Sequence, residues 1–195
     1  MKSVLLAALA SLLIGQSAFA GELSSAYTDI DTDKNCSIFS ANEEGGEFAN
    51  FVCEGWRGYP VLIFSGDLRE SLFYGFPPKD VRAWESFSAF NSTGQKIEWR
   101  IDTEGSKSIP FATIHRWFVS DDPDKPENKT EVLVVSKVGQ VGQQDGCVVG
   151  LVRASGNAGA NEAARKLADE KARAFACGTD KWTVIGEVPD FSRSD

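Results

Sequence analysis

Residues 146–178 constrain the fold more than any other stretch. The run 147–152 has no polar residue, so it reads as a strand covered on both faces, as in the middle of a sheet. After a short polar break, Ala164, Leu167, Ala168 and Phe175 recur at helical spacing, an apolar stripe suited to lie on a sheet. Cys147 opens the strand and Cys177 closes the helix, so a bond between them would clamp both into one unit. Asn157 or Asn161 can cap the helix start, and Gly178 suits its end. Glu162 with Lys166 and Asp169 with Arg173 stand four apart with the acid first, the favourable order. The spacing predicts one long helix over residues 158–177.

The start of the chain speaks to compartment. Lys2 precedes an apolar run over residues 4–14, and Ser17-Ala18-Phe19-Ala20 places small residues at the −3 and −1 positions of a cleavage site. The run is shorter than the roughly 20 residues a membrane-spanning helix needs. Residues 1–20 therefore read as a secretory signal, with Gly21 beginning a single exported domain over 21–195. No cysteine follows the small residues, and no second apolar run approaches membrane length. The expected location is the periplasm or the extracellular medium.

Four cysteines, Cys36, Cys53, Cys147 and Cys177, fit an oxidising compartment. Four allow three connectivities; proximity and the strand–helix argument favour Cys36–Cys53 with Cys147–Cys177. No Cys-x-x-Cys pair suggests a redox motif or zinc ribbon. The formal charge of −8 becomes −9 without Lys2. Such a chain suits neither nucleic acid nor an anionic membrane surface; its acidity either draws cationic partners or only keeps an exported protein in solution.

Turn chemistry punctuates the rest. Asp29-Ile30-Asp31-Thr32-Asp33 has the alternation of a calcium loop, but Lys34 stands at its turn glycine and Ser40 at its bidentate glutamate; a solvated entry strand is the reading adopted. Asn42-Glu43-Glu44-Gly45-Gly46-Glu47 marks a hairpin closed by Cys36 and Cys53. A loop over residues 56–60 leads to a second hairpin, with arms at 61–64 and 70–74 about Ser65-Gly66-Asp67. Phe76-Pro77-Pro78 ends it. Val81 and Trp84 can share a helical turn, and Asn91-Ser92-Thr93-Gly94 reads as loop. Residues 96–102 alternate, with Ile97, Trp99 and Ile101 on one face and Lys96, Glu98 and Arg100 on the other. Further strands are expected at 111–119 and 131–138, an edge strand within 181–188, and a frayed end at 192–195. Runs of strands followed by one late helix predict an α+β fold, an antiparallel sheet or partly open barrel of about seven strands carrying one long C-terminal helix.

The segments Ser65-Gly66-Asp67-Leu68-Arg69, Trp84-Glu85-Ser86-Phe87-Ser88-Ala89-Phe90-Asn91 and Cys147-Val148-Val149-Gly150 resemble those of small exported bacterial proteins without assigned activity. So does the helix from Ala168-Asp169-Glu170 to Cys177-Gly178. The stretch Phe51-Val52-Cys53-Glu54, opening a strand-rich region, is similar to periplasmic inhibitors of C-type lysozyme, which are small, β-rich and disulfide-bonded. None of that family's inhibitory residues maps onto this chain.

Catalytic motifs are sparse. His115 is the sole histidine, and no Gly-x-Ser-x-Gly elbow accompanies it. By alternation it shares a face with Phe111, Thr113 and Trp117 and reads as an ordinary sheet residue. Glu98 falls on the polar face, where cross-strand pairing accounts for it. No catalytic residue, metal site or cofactor is assigned. Trp99 and Trp117 read as core, whereas Trp56, Tyr59 and Trp84 lie in loops, where large aromatics either mark an interface or cap the ends of the barrel or sheet. The sequons at Asn91 and Asn128 read as chance matches behind a bacterial-type signal. Two functions follow as expectations. One is a non-catalytic binding or inhibitor-like module for a basic exported protein or a glycan. The other is a carboxylate-dependent hydrolase of cell-wall polysaccharide or peptidoglycan.

Overall fold

The computed structural model describes residues 21–42, 48–78, 83–120, 122, 124, 125 and 127–194. The leader expected over residues 1–20, the turn tip at 43–47 and Val81 lie outside them. Strands β1 (Glu22–Asp29), β2 (Cys36–Ala41), β3 (Phe48–Cys53), β4 (Val61–Gly66), β5 (Arg69–Tyr74) and β6 (Trp84–Phe87) come first. They are followed by β7 (Phe90–Glu104), β8 (Lys107–Ser120), β9 (Thr130–Lys137) and β10 (Val148–Arg153), then α1 (Ala160–Lys171), β11 (Thr183–Ile185) and β12 (Phe191–Ser194). Three sheets result, ordered β1-β7-β8-β9-β10-β11, β2-β3-β4-β5 and β12-β6.

The expected α+β fold is overturned. The described residues are 54% strand and 9% helical, and α1 has 12 residues, ending at Lys171. The chain after Lys171 is drawn into other bonds. The Phe175 carbonyl accepts from Lys137 Nζ and the Ala176 N–H donates to Asp180 Oδ2, while a disulfide ties Cys177 to Cys147. At the other end the helix starts at Ala160 after Gly159, and Asn157 Oδ1 accepts the Gly159 N–H in the turn before it.

One sheet cannot hold all the strands because their apolar residues need two separate covers. On one side of the six-stranded sheet, Ile97, Trp99, Trp117, Val132, Val134 and Leu151 meet Val61, Ile63, Leu72 and Tyr74 of the four-stranded sheet. On the other, Ala112, Ile114, Leu133, Val135 and Val149 meet Ala160, Ala164, Leu167 and Ala168 of α1. The unbroken apolar run of β10 is thus buried on both faces. Gly150 permits the helix its close approach, since a Cβ there would stand 2.3 Å from Leu167 Cδ2.

The second disulfide joins Cys36 to Cys53, which face each other in the β2–β3 register. Asp31 builds a turn, its Oδ1 accepting the Asp33 N–H and its Oδ2 the Lys34 ammonium. Other local expectations change. Asn91–Gly94 is strand within β7, because the Asn91 side chain accepts from Glu70 N–H and donates to the Ala89 carbonyl. Trp84 is in β6, not a helical turn, and pairs with Ser194. Residues 192–194, expected to fray, pair with residues 84–86 of β6 behind the buried Phe191 ring, which packs on Phe87 and Trp182; Asp195 lies outside the described residues. β11 runs parallel to β10, so the large sheet is mixed. No helix among the described residues is long and apolar enough to cross a membrane.

Candidate binding grooves

Pro110 sets the first groove. Proline cannot serve a sheet ladder, so it sits at an irregularity, and the β7–β8 register skips between Arg100 opposite Ala112 and Ile101 opposite Pro110. The bulge sends Phe111 to the helix side with Ala112 and Ile114, away from the face of His115 where strict alternation places it. Phe111 forms the floor of a groove of about 280 Å³, walled by Ile109, Val138, Lys107, Lys137, Gln140 and Arg173, with Asp102 and Glu104 at the rim.

Most of its polar groups are held in place. The Arg173 guanidinium lies 3.8 Å over the Phe111 ring and 2.8 Å from Asp102 Oδ2. Lys137 Nζ donates to Asp145 Oδ2 and to the Phe175 carbonyl, each at 2.8 Å. Gln140 Nε2 donates to the carbonyls of Pro110 and Val138, and its Oε1 accepts from Tyr59 Oη at 3.0 Å. Ile109 remains exposed.

Tyr59 leads to a second, more open cleft of about 700 Å³, bounded by the Cys36–Cys53 disulfide, Asn35, Glu54, Arg57 and Pro60. The hydrogen bond from Tyr59 to Gln140 therefore stands between the two depressions. Burial raises the Tyr59 phenol above its ordinary value, which keeps it a donor. A short 3-10 turn at Trp56–Gly58 carries this wall, with Arg57 at φ 46°, a left-handed conformation uncommon for a residue with a side chain. Its guanidinium stacks 4.7 Å from the Trp56 ring. Tyr59 packs on Trp56 and Phe76.

The three aromatics expected to mark an interface fall on two elements. Trp56 and Tyr59 share one turn and pack against the main core, whereas Trp84 belongs to the β6–β12 pair. Local periodicity singles out neither Phe111 nor Gln140 nor Arg173 as groove residues, although Pro110 inside an apolar strand is a readable bulge signal.

The buried polar residues lie elsewhere. His115 is fully buried; its Nε2–H donates to the Gly94 carbonyl at 2.5 Å, and its Nδ1 accepts from Tyr74 Oη at 2.8 Å. Burial lowers its pKa to about 4, against a smaller opposing effect of the Gly94 bond. Tyr74 is raised by burial and by the charge of Glu70. Burial also raises Glu70, whose carboxylate accepts the Thr93 N–H. Glu98 bonds across strands to Ser25 of β1, but its ionic partner comes from the helix rather than the sheet. Arg165 of α1 grips it from Nε at 2.6 Å and Nη2 at 3.1 Å, and Ser25 Oγ donates to it at 2.5 Å. Burial pushes the Glu98 carboxyl up, but the bonds from Arg165 and Ser25, with the charges of Arg165 and Arg100, prevail and hold it below its usual value. Asp169 binds Arg100 through two bonds of 2.8 Å, so the Asp169–Arg173 pair expected along the helix gives way to links between helix and sheet. Glu85 is buried, accepts the Val148 N–H at 2.8 Å and lies 3.6 Å from Arg193. Among the described residues no group of three or more His, Cys, Asp or Glu could hold a metal ion.

No protein-family model, curated protein or solved structure matches this chain.

Proposed function

We propose that this protein is exported and works as a non-catalytic binding domain. Its two disulfides suit an oxidising compartment. The observation that carries the reading is the Phe111 groove, an apolar floor ringed by polar groups most of which are already fixed by protein partners. Preorganised groups lose little freedom when a ligand arrives. The groove and the cleft beside Tyr59 adjoin, which favours an extended ligand lying across both. A basic polypeptide segment carrying an apolar side chain suits them best: the side chain covers Phe111 and Ile109, while the −9 charge of residues 21–195 speeds encounter. A glycan strand stacked on Tyr59 is the other occupant to test.

The experiment is an NMR titration of the exported protein with a lysine-rich peptide containing phenylalanine and, separately, with cell-wall glycan oligomers. Shifts centred on Ile109, Phe111, Tyr59 and Gln140, weakened by salt and by Ile109→Glu, support a basic peptide. Salt-insensitive shifts from the glycan alone replace peptide with glycan and leave the binding reading intact. Hydrolysis of the oligomers, abolished by Glu104→Gln, overturns it in favour of a carboxylate-dependent hydrolase, since Asp102 and Glu104 both border the groove.

A further inference from the structure

Gly21 stands at the head of β1 against β7, where the register pairs Glu22 with Thr103 and Leu23 with Asp102. A Cβ on Gly21 would lie 2.0 Å from Asp102 Oδ1, 3.1 Å from its Cγ and 3.3 Å from Glu104 Cγ. Only glycine comes this close. Asp102 uses Oδ2 to hold Arg173 at 2.8 Å, while Oδ1 is buried and receives no hydrogen bond among the described residues. A buried carboxylate oxygen without a donor is costly. As long as Gly21 is joined to Ala20, its nitrogen is an uncharged amide with a single N–H, and that N–H does not reach Oδ1.

The small residues Ala18 and Ala20 mark the Ala20–Gly21 bond as the point of cleavage. We infer that this cleavage creates the missing partner of Asp102: the α-ammonium of Gly21 pairs with Oδ1 and fastens β1 to β7 at the rim of the Phe111 groove. In the step, a leader peptidase adds one water across the peptide bond. The hydroxyl goes to the Ala20 carbonyl, leaving a carboxylate, and the protons go to nitrogen, giving an ammonium with three donors. Asp102 then holds two cations, Arg173 on Oδ2 and the chain terminus on Oδ1. Processing thus completes the edge of the groove as well as releasing the chain.

The charged groups around the new terminus are Asp102 and Glu104 of β7, Glu22 beside it in β1, Lys107 across the β7–β8 turn from Glu104, and Arg173 beyond α1. With the side chains of Asp102 and Glu104 lying against Gly21, the amine's folded pKa rises above the unfolded value of about 7.7–8.0. Its stabilisation is therefore present in full below the unfolded pKa and lost as pH rises through the folded one.

The inference rests on the export reading but not on the identity of the groove's ligand. Its test expresses the whole chain, isolates the exported product and determines its first residue by mass spectrometry. The amine pKa follows from the pH dependence of its acylation. The expected product begins at Gly21, with an amine pKa about one unit above the ordinary value. Acetylating that amine then raises the unfolding equilibrium constant roughly tenfold at neutral pH, the factor that one unit represents, and Asp102→Asn returns the pKa to normal. Should Asp102→Asn not fold, the wild-type pKa and the acetylation effect still decide. A product starting elsewhere overturns both this inference and the export site. A product starting at Gly21 with an ordinary amine pKa overturns this inference alone.

Discussion

Acidification between pH 7 and pH 5 is expected to destabilise the fold through His115. The ring is fully buried and neutral, with Nε2–H given to Gly94 and Nδ1 filled by Tyr74. Its pKa falls from 6.5 to about 4 on folding. A depressed folded pKa means that the unfolded chain takes up the proton first. The stabilisation is present in full above pH 6.5 and lost as pH falls through the window down to about 4. The whole window corresponds to about 3 kcal/mol, and the part between pH 7 and pH 5 to about 2 kcal/mol. For a chain of this size that is a fall in Tm of about 4–8 °C. Glu70 acts in the opposite sense, because its raised pKa makes protonation favour the folded state, and it offsets part of the loss at the acid end. The assay is urea unfolding at pH 7, 6 and 5, together with the NMR titration of the His115 ring. In His115→Gln the absolute stability drops, while most of the slope between pH 7 and pH 6 disappears. A ring titrating near 6.5, or equal stability of the wild type across this range, would refute the reasoning.

Further outcomes follow from the contacts between layers. Arg165→Ala strips Glu98 of its two-bond partner; because Arg165 is 42% exposed and Ser25 still donates to the carboxylate, the cost in urea unfolding should be about 1–2 kcal/mol, and a loss within about 0.5 kcal/mol, typical of surface sites, would mean the pair is only surface decoration. Gly150→Ala drives a methyl to 2.3 Å from Leu167 Cδ2 and should cost about 1–3 kcal/mol, partly relieved by Leu167→Ala in a double-mutant cycle. Replacing Cys147 and Cys177 together by alanine should cost about 3 kcal/mol, measurable as a lower urea midpoint without loss of the β-sheet circular dichroism signal; an unchanged midpoint would contradict the clamp.

Features that depend on neighbours along the chain were legible from the residues alone. The period of two over residues 96–102 placed Ile97, Trp99 and Ile101 on one buried face, because a strand turns alternate side chains to opposite sides whatever surrounds it. Glycine-rich turns marked both early hairpins, and an even set of cysteines close in sequence pointed to the two bonds found. The three-sheet architecture was not legible, since which apolar faces cover each other is decided only when the strands meet. Asn91–Gly94 looks like loop in isolation, yet the Glu70 N–H and the His115 ring make it strand. The helix looked long because its composition continues past Lys171; Lys137, Asp180 and Cys147 end it from a distance. Glu98 found its partner in Arg165, 67 positions away, and Asp102 found Arg173. Phe111 reached the groove only because one bulge reversed the side it faces. Local period and turn chemistry act over a few residues, whereas burial, charge pairing and the groove itself arise from groups that folding alone brings together.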